Sequence, residues 1–246
     1  MPRLSRKLMI LLLSLAGAAL LLMLHAFSAL PSSDLLVAVQ KRVTPALRSL
    51  VVERGARLGR PIYLRLFKES RELEVWMSPE GQAKWKLIKT FPIHTWGGGT
   101  LGPKLAEGDR QAPEGFYEVG AKQMNPNSNY HLSFNIGYPN AFDQAHHRTG
   151  SAIMVHGSKV SIGCFAMTDP GIEEIYILAH EALAGGQKKF PVHIFPFRMT
   201  AERMTQAESD ANFPFWKMLQ PAYDSFEKTQ SPPIISITGT AYQIGK

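Results

Sequence analysis

Between residues 35 and 53, Leu36, Val39, Val43, Leu47 and Leu50 recur at helical spacing, which predicts an amphipathic helix interrupted near Pro45. The segment ERGARLGRP marks a boundary, and beyond it the apolar period falls to two. Ile62, Leu64 and Leu66 alternate with Tyr63, Arg65 and Phe67, and Leu73, Val75 and Met77 repeat the pattern, so the two runs read as a hairpin. Trp85, Leu87 and Phe91 continue the sheet, and Phe116–Val119, Phe134–Ile136 and Ile153–Val155 read as further strands. Asp169-Pro170 starts a helix, with Asp169 at its cap and Glu173 and Glu174 in its first turn, and Gly185-Gly186 ends it. Phe190–Phe195 returns to extended structure, residues 201–228 carry one or two helices, and Ile234–Ile237 suggests a last strand. The expected fold is therefore mainly β with peripheral helices, an α+β domain without internal repeats.

The start of the chain changes the picture of where it works. Arg3, Arg6 and Lys7 precede an uncharged run from Leu8 to Leu24. That arrangement is an export signal, and its length favours an uncleaved inner-membrane anchor over a cleaved peptide. The flanking cations stay in the cytoplasm, so the rest of the chain is expected in the periplasm. The resulting layout is a signal or anchor at residues 1–30, a helical linker at 31–60, the main domain at 61–230 and a tail with a strand at 231–246. The formal net charge is +7. Outside the leader the surplus is mild and forms no basic stripe, which argues against nucleic acid and suits an anionic envelope polymer.

Cys164 is the only cysteine. An intrachain disulfide is excluded, and a lone thiol kept in an oxidising compartment points to chemistry. It closes the stretch IMVHGSKVSIGC, residues 153–164, in which His156 ends an apolar strand. The thiolate is the attacking species, and a nearby imidazole can take the thiol proton. Gly163 permits a tight turn that aims amides at an oxyanion, and a main-chain carbonyl near Gly157 can hold the imidazole in the required tautomer. The bland reading of Cys164 is a small buried hydrophobe. A thiol-redox role would want a resolving cysteine, and a non-catalytic binding domain would be expected to have lost Cys164 or His156. Gly97-Gly98-Gly99 with Gly102-Pro103-Lys104 reads as an irregular loop, since no Gly-Lys-Ser/Thr ending follows.

HGSKVSIGC resembles the active-site signature of the L,D-transpeptidase family, the YkuD-like catalytic domain, in which HG is followed by an insert and S-x-G-C. GPKLAEGDRQAPEGFYEV resembles the same family's strand-entry segment. The runs at Gly98–Lys104, FNIGYPNAFDQAH at 134–146, SIGCFAMTD at 161–169 and IFPFRMT at 194–200 are closest to the YafK-like murein L,D-transpeptidase branch. The resemblance implies a β-sandwich-like mixed sheet, no metal or other cofactor, and peptidoglycan stem peptides as substrate. It implies Cys164 as nucleophile and His156 as general base, with Gly157, Ser161 and Gly163 shaping the substrate site through their backbones. A thioester formed at the L-centre carbonyl of diaminopimelate would pass to an amine or to water, and release of a lysine-linked envelope lipoprotein is one such reaction.

Two positions depart from the family's pattern. The insert is only Ser158-Lys159-Val160, and Ala166 stands where many crosslinking members carry an arginine that can clamp a carboxylate. Arg198 or Lys159 is the candidate replacement. Trp96, Tyr138 and Phe165 are candidates to line the groove, and Asn140 and Asp143 to fix the loop leading into it. A metal set drawn from His131, Asp143, His146 and His147 matches no standard spacing.

Overall fold

The computed structural model describes residues 30–245. The apolar run expected as signal or anchor lies outside them. Among the described residues no helix is long and apolar enough to cross a membrane.

A five-stranded sheet has the order β3-β2-β1-β9-β4, built from β1 (Ile62–Phe67), β2 (Glu72–Met77), β3 (Lys86–Pro92), β4 (Gly115–Gly120) and β9 (Lys189–Phe195). A four-stranded sheet follows the order β5-β6-β7-β8, from β5 (Met124–Ser128), β6 (His131–Asn135), β7 (Met154–His156) and β8 (Phe165–Ala166). A separate hairpin pairs β10 (Ile234–Thr238) with β11 (Ala241–Gly245). The helices are α1 (Asp34–Glu53), α2 (Ala141–Ala145), α3 (Asp169–Ala184), α4 (Ala201–Gln206) and α5 (Phe213–Thr229). The fold is α+β, and the β1–β2 hairpin forms in the register the alternation suggests, Leu64 opposite Val75.

β1 is central and all six of its residues are buried. Ile62, Leu64 and Leu66 enter the core shared with both sheets and α3, while Phe67 enters an aromatic cluster with α5. Arg65 survives there because its guanidinium lies 4.5 Å from the Phe226 ring centre and 5.1 Å from that of Tyr223. Glu227 closes an ion pair with it at 2.7 Å. Cation–π contact and pairing replace the water this charge gives up.

α3 contacts β6 and β7 of one sheet and β1 and β9 of the other. Its run Ile172, Ile175, Tyr176, Ile177, Leu178, Ala179 is buried almost all round, which suits a helix sandwiched between sheets. It begins at Asp169, so the cap is Thr168, one residue earlier than the Asp-Pro signal suggests. α1 runs unbroken through Pro45 and packs on α3 and β5. Arg42 of α1 reaches Glu173 of α3 at 2.8 Å.

His193 of β9 is fully enclosed, accepts or donates one hydrogen bond with the Tyr63 hydroxyl at 2.8 Å, and has its pKa pulled down to about 3, first by burial and then by the charge of Arg65. The unfolded chain binds this proton near pH 6.5, so acid favours unfolding throughout the interval down to about pH 3. Stability should therefore fall by about 2 kcal/mol between pH 6.5 and pH 5 from this group. Urea denaturation at the two pH values checks it, and His193→Gln should flatten the dependence.

Candidate active site

β7 and β8 pair in parallel, Val155 with Phe165 and His156 with Ala166. Cys164 immediately precedes β8 and therefore falls beside Met154, whose amide donates to Sγ at 3.3 Å. Cys164 lies in the bend just before β8, one residue ahead of the Val155–Phe165 pair, and His156 ends the neighbouring β7. Among the described residues no hydrogen bond joins Sγ to the imidazole.

Nδ1 of His156 lies 2.6 Å from the Gly157 carbonyl oxygen. A carbonyl only accepts, so Nδ1 carries the proton and Nε2 keeps its lone pair. The carbonyl expected near Gly157 is thus that of Gly157 itself. Residue 157 has no room for a side chain: a Cβ would lie 2.7 Å from Asp169 Oδ1 and 2.8 Å from the Tyr130 carbonyl oxygen.

The turn ahead of the cysteine is held by a side chain as well as by backbone. Ser161 Oγ donates to the Cys164 carbonyl at 2.7 Å and accepts the Gly163 amide at 3.1 Å. The expectation that Ser161 acts through its backbone is corrected accordingly. Gly163 adopts φ +143° with the chain at Gln111 packed against it. Behind it lies Gly97, where a Cβ would stand 2.4 Å from the Arg110 carbonyl oxygen and 2.9 Å from the Gly163 backbone. Gly97, the first residue of the triple-glycine loop, is therefore packed behind the cysteine turn, a role the sequence reading missed because only the fold joins residues 97, 110 and 163.

The half-buried Cys164 thiol is pushed above its ordinary pKa by burial, opposed by the Met154 amide and the positive charge of Lys104. Lys104 is itself buried and bonded to Asp109 at 2.6 Å and the Ala106 carbonyl at 2.8 Å. Burial pulls the His156 pKa down, opposed by its bond to Gly157. Both groups consequently rest neutral at neutral pH, a protonated thiol beside an imidazole able to accept that proton.

The remaining candidates separate. Trp96, Tyr138 and Phe165 are core residues rather than groove lining. Arg198 is held by Glu72 and Glu74 at 2.8 and 2.7 Å, which removes it as a replacement clamp, whereas Lys159 is exposed within the insert. Asn140 and Asp143 cap α2 reciprocally, and Asp143 also binds Arg148 at 2.8 Å. His131 pairs with Glu173, and His146 bonds the Thr240 carbonyl, so the imagined metal set is dispersed. Among the described residues no group of three or more His, Cys, Asp or Glu side chains is placed to hold a metal ion. Leu105, Tyr130, Val160 and Ile162 are exposed large apolar or aromatic side chains on the loops of this half of the chain.

The family model described as the L,D-transpeptidase catalytic domain, YkuD, matches residues 75–194, from β2 to β9. A protein of Escherichia coli (strain K12), provisionally named L,D-transpeptidase YafK, is 42% identical over 189 residues, covering 77% of this chain and 76% of the relative. The protein of the same name from Escherichia coli O157:H7 matches to the same extent. Among solved structures, the helical cell shape determining protein Pgp2 from Campylobacter jejuni is 20% identical with a TM-score of 0.44, covering 78% of this chain and 80% of that one. Bd1075 from Bdellovibrio bacteriovorus is 18% identical with a TM-score of 0.39, covering 73% and 78%. With 42% identity sustained over most of both chains and the catalytic-domain model matched across the segment from His156 to Cys164, this chain belongs to the L,D-transpeptidase (YkuD) family.

Proposed function

We propose that this protein is a periplasmic cysteine enzyme that remodels peptidoglycan, with Cys164 as nucleophile and His156 as general base. The observation that supports the reading is the local arrangement: β7–β8 pairing brings the segment that follows Cys164 alongside the strand that ends at His156, and the Gly157 carbonyl takes Nδ1–H and leaves Nε2 with its lone pair. In the first half-reaction Nε2 takes the thiol proton as Sγ bonds to the L-centre carbonyl carbon of diaminopimelate in a stem peptide. The Cys164 amide, which meets no acceptor among the described residues, is the candidate donor to the oxyanion. Collapse breaks the carbon–nitrogen bond, and the imidazolium returns its proton to the departing amine. In the second half, His156 deprotonates the acceptor, which attacks the thioester and releases the sulfur.

The acceptor is the finer point. Ala166 is fully buried, with its amide bonded to the Thr95 carbonyl and its own carbonyl taken by His94. No guanidinium stands there, and Arg198 is committed elsewhere. An incoming stem amine therefore finds fewer fixed charges to orient it, and orientation can be worth about 7–11 kcal/mol in the best intramolecular cases. Water needs little positioning. Hydrolysis, including release of an envelope lipoprotein joined through lysine, is favoured over stem-to-stem crosslinking. The apolar run at residues 8–24 supports placement at the outer face of the inner membrane, where these substrates lie.

The purified full chain incubated with lipoprotein-bearing peptidoglycan should release soluble lipoprotein or trimmed stems and form few new crosslinks, as read by chromatography and mass spectrometry. Predominant crosslinked dimers would reverse the acceptor assignment. No processing of either intact peptidoglycan or muropeptides would leave only a binding domain.

A further inference from the structure

We propose that Tyr130 is a positioning residue for His156, its ring covering the imidazole and excluding water from it while its backbone anchors the Gly157 peptide. This rests on the reading of His156 as the base. Tyr130 sits in the turn between β5 and β6, and its ring centre lies 4.9 Å from that of His156 at an interplanar angle of 42°. Its carbonyl accepts the Gly157 amide at 3.0 Å, and Gly157 in turn accepts Nδ1–H of His156. One residue thus touches the imidazole directly and, together with the Leu132 carbonyl at 3.1 Å, bonds the amide of the residue whose own carbonyl takes Nδ1–H.

The position of Tyr130 is over-determined. The next residue, His131, has a left-handed backbone with φ +70° and bonds Glu173 of α3 through Nε2 at 2.8 Å. The same carboxylate oxygen takes Arg42 of α1 at 2.8 Å. The tip that carries Tyr130 is therefore tied to two helices, although Tyr130 itself remains 49% exposed. A half-exposed aromatic ring without an ion pair or core role, fixed against an imidazole, is well placed to control that imidazole's contact with water.

The groups around His156 leave this role to burial. From the β5–β6 turn come Tyr130 and His131, from α3 Asp169 and Glu173, and from the approach to β8 Cys164. Lys104 stands behind the thiol. Asp169 is bonded to the Ser158 amide, Glu173 to Arg42 and His131, and Lys104 to Asp109. Ser133 on β6, paired with His156, is neutral. Burial is the first cause of the lowered His156 pKa and the Gly157 bond the opposing one. Removing the Tyr130 ring admits water, favours the imidazolium and moves the pKa up towards about 6.5. At pH 6 less of the base is then in its neutral form.

The test follows the hydrogen–deuterium exchange midpoint of the His156 imidazole carbon in the full chain by mass spectrometry, alongside the pH profile of muropeptide processing. Tyr130→Ala should raise the midpoint by about half a unit to one unit and move the acid limb of the rate by the same amount, with the high-pH plateau largely kept. Tyr130→Phe keeps the ring and should match the unaltered chain in both readouts. An unchanged or lowered midpoint in Tyr130→Ala overturns the proposal, as does a Phe variant that behaves like Ala. If the unaltered chain processes no muropeptide, the proposed function falls, while the exchange midpoints still decide whether Tyr130 controls His156.

Discussion

Cys164→Ser will lower peptidoglycan processing by at least about a thousandfold while leaving the domain folded. Serine is nearly isosteric, and the site asks little of the sulfur structurally: one amide contact from Met154 at 3.3 Å and one longer contact to the Ala152 carbonyl at 3.7 Å. A hydroxyl offers the same donor and acceptor, so thermal midpoints should agree within a few degrees. Chemistry is another matter. The thiol loses its proton to a neutral imidazole with moderate difficulty, whereas a hydroxyl at this weakly activated site holds its proton far more tightly. Because Cys164 is the only cysteine, iodoacetamide should add a single mass increment to the intact chain and block the same activity. Processing that persists in the serine variant would remove Cys164 from the mechanism.

Lys68→Ala should be the most destabilising single change outside the apolar core, costing about 3–5 kcal/mol. Lys68 and Glu114 are both completely buried and pair at 2.9 Å. The ammonium also donates to the carbonyls of Gly102 and Ala112 at 2.7 and 3.0 Å, and its charge lies 4.7 Å from the Trp96 ring centre. Glu114 accepts the Gly102 amide at 2.7 Å and Trp216 Nε1 at 2.8 Å. Burial pulls the Lys68 pKa down, and the charge and hydrogen bond of Glu114 oppose that shift. Without the lysine a carboxylate and two carbonyls are stranded in the interior, in a domain whose total stability is on the order of 5–15 kcal/mol. Urea denaturation should show the loss. Lys68→Met combined with Glu114→Gln should cost less than the two single changes added together, since the stranded charge is gone. Activity per folded molecule should fall too, because the bonded loop from Gly102 to Ala112 includes Arg110, whose carbonyl abuts Gly97 behind the cysteine turn. A cost below about 1 kcal/mol would show that the pair does not organise this loop.

The parts of the candidate site could be read together because they are close in sequence. His156-Gly157 and Ser161-Ile162-Gly163-Cys164 lie within nine positions of one another. The supports were not legible. Gly97 read as an irregular loop, Trp96 and Tyr138 as groove lining and Arg198 as a spare charge, because each role depends on partners tens of residues away. Tyr130 carried no signal beyond being an aromatic residue near a turn. β5 escaped notice because MNPNS has no apolar alternation, and its proline suits the sheet edge that it occupies. β8 is only two residues long, too short for any period to show.

By itself, then, the sequence determined what depends on neighbouring residues: the period-two strands from Ile62 to Met77, the helix after Thr168, and a cysteine turn next to a strand-ending histidine. These follow from pleat, cap and turn geometry, whose energies act over two to four positions. Tertiary structure alone decided the parallel register that sets the segment after Cys164 beside the strand ending at His156, the partners of Arg65 and Lys68, and the approach of the Tyr130 ring to His156. Those outcomes depend on which distant segments exclude water together, and burial is a property of the assembled fold that no local pattern contains.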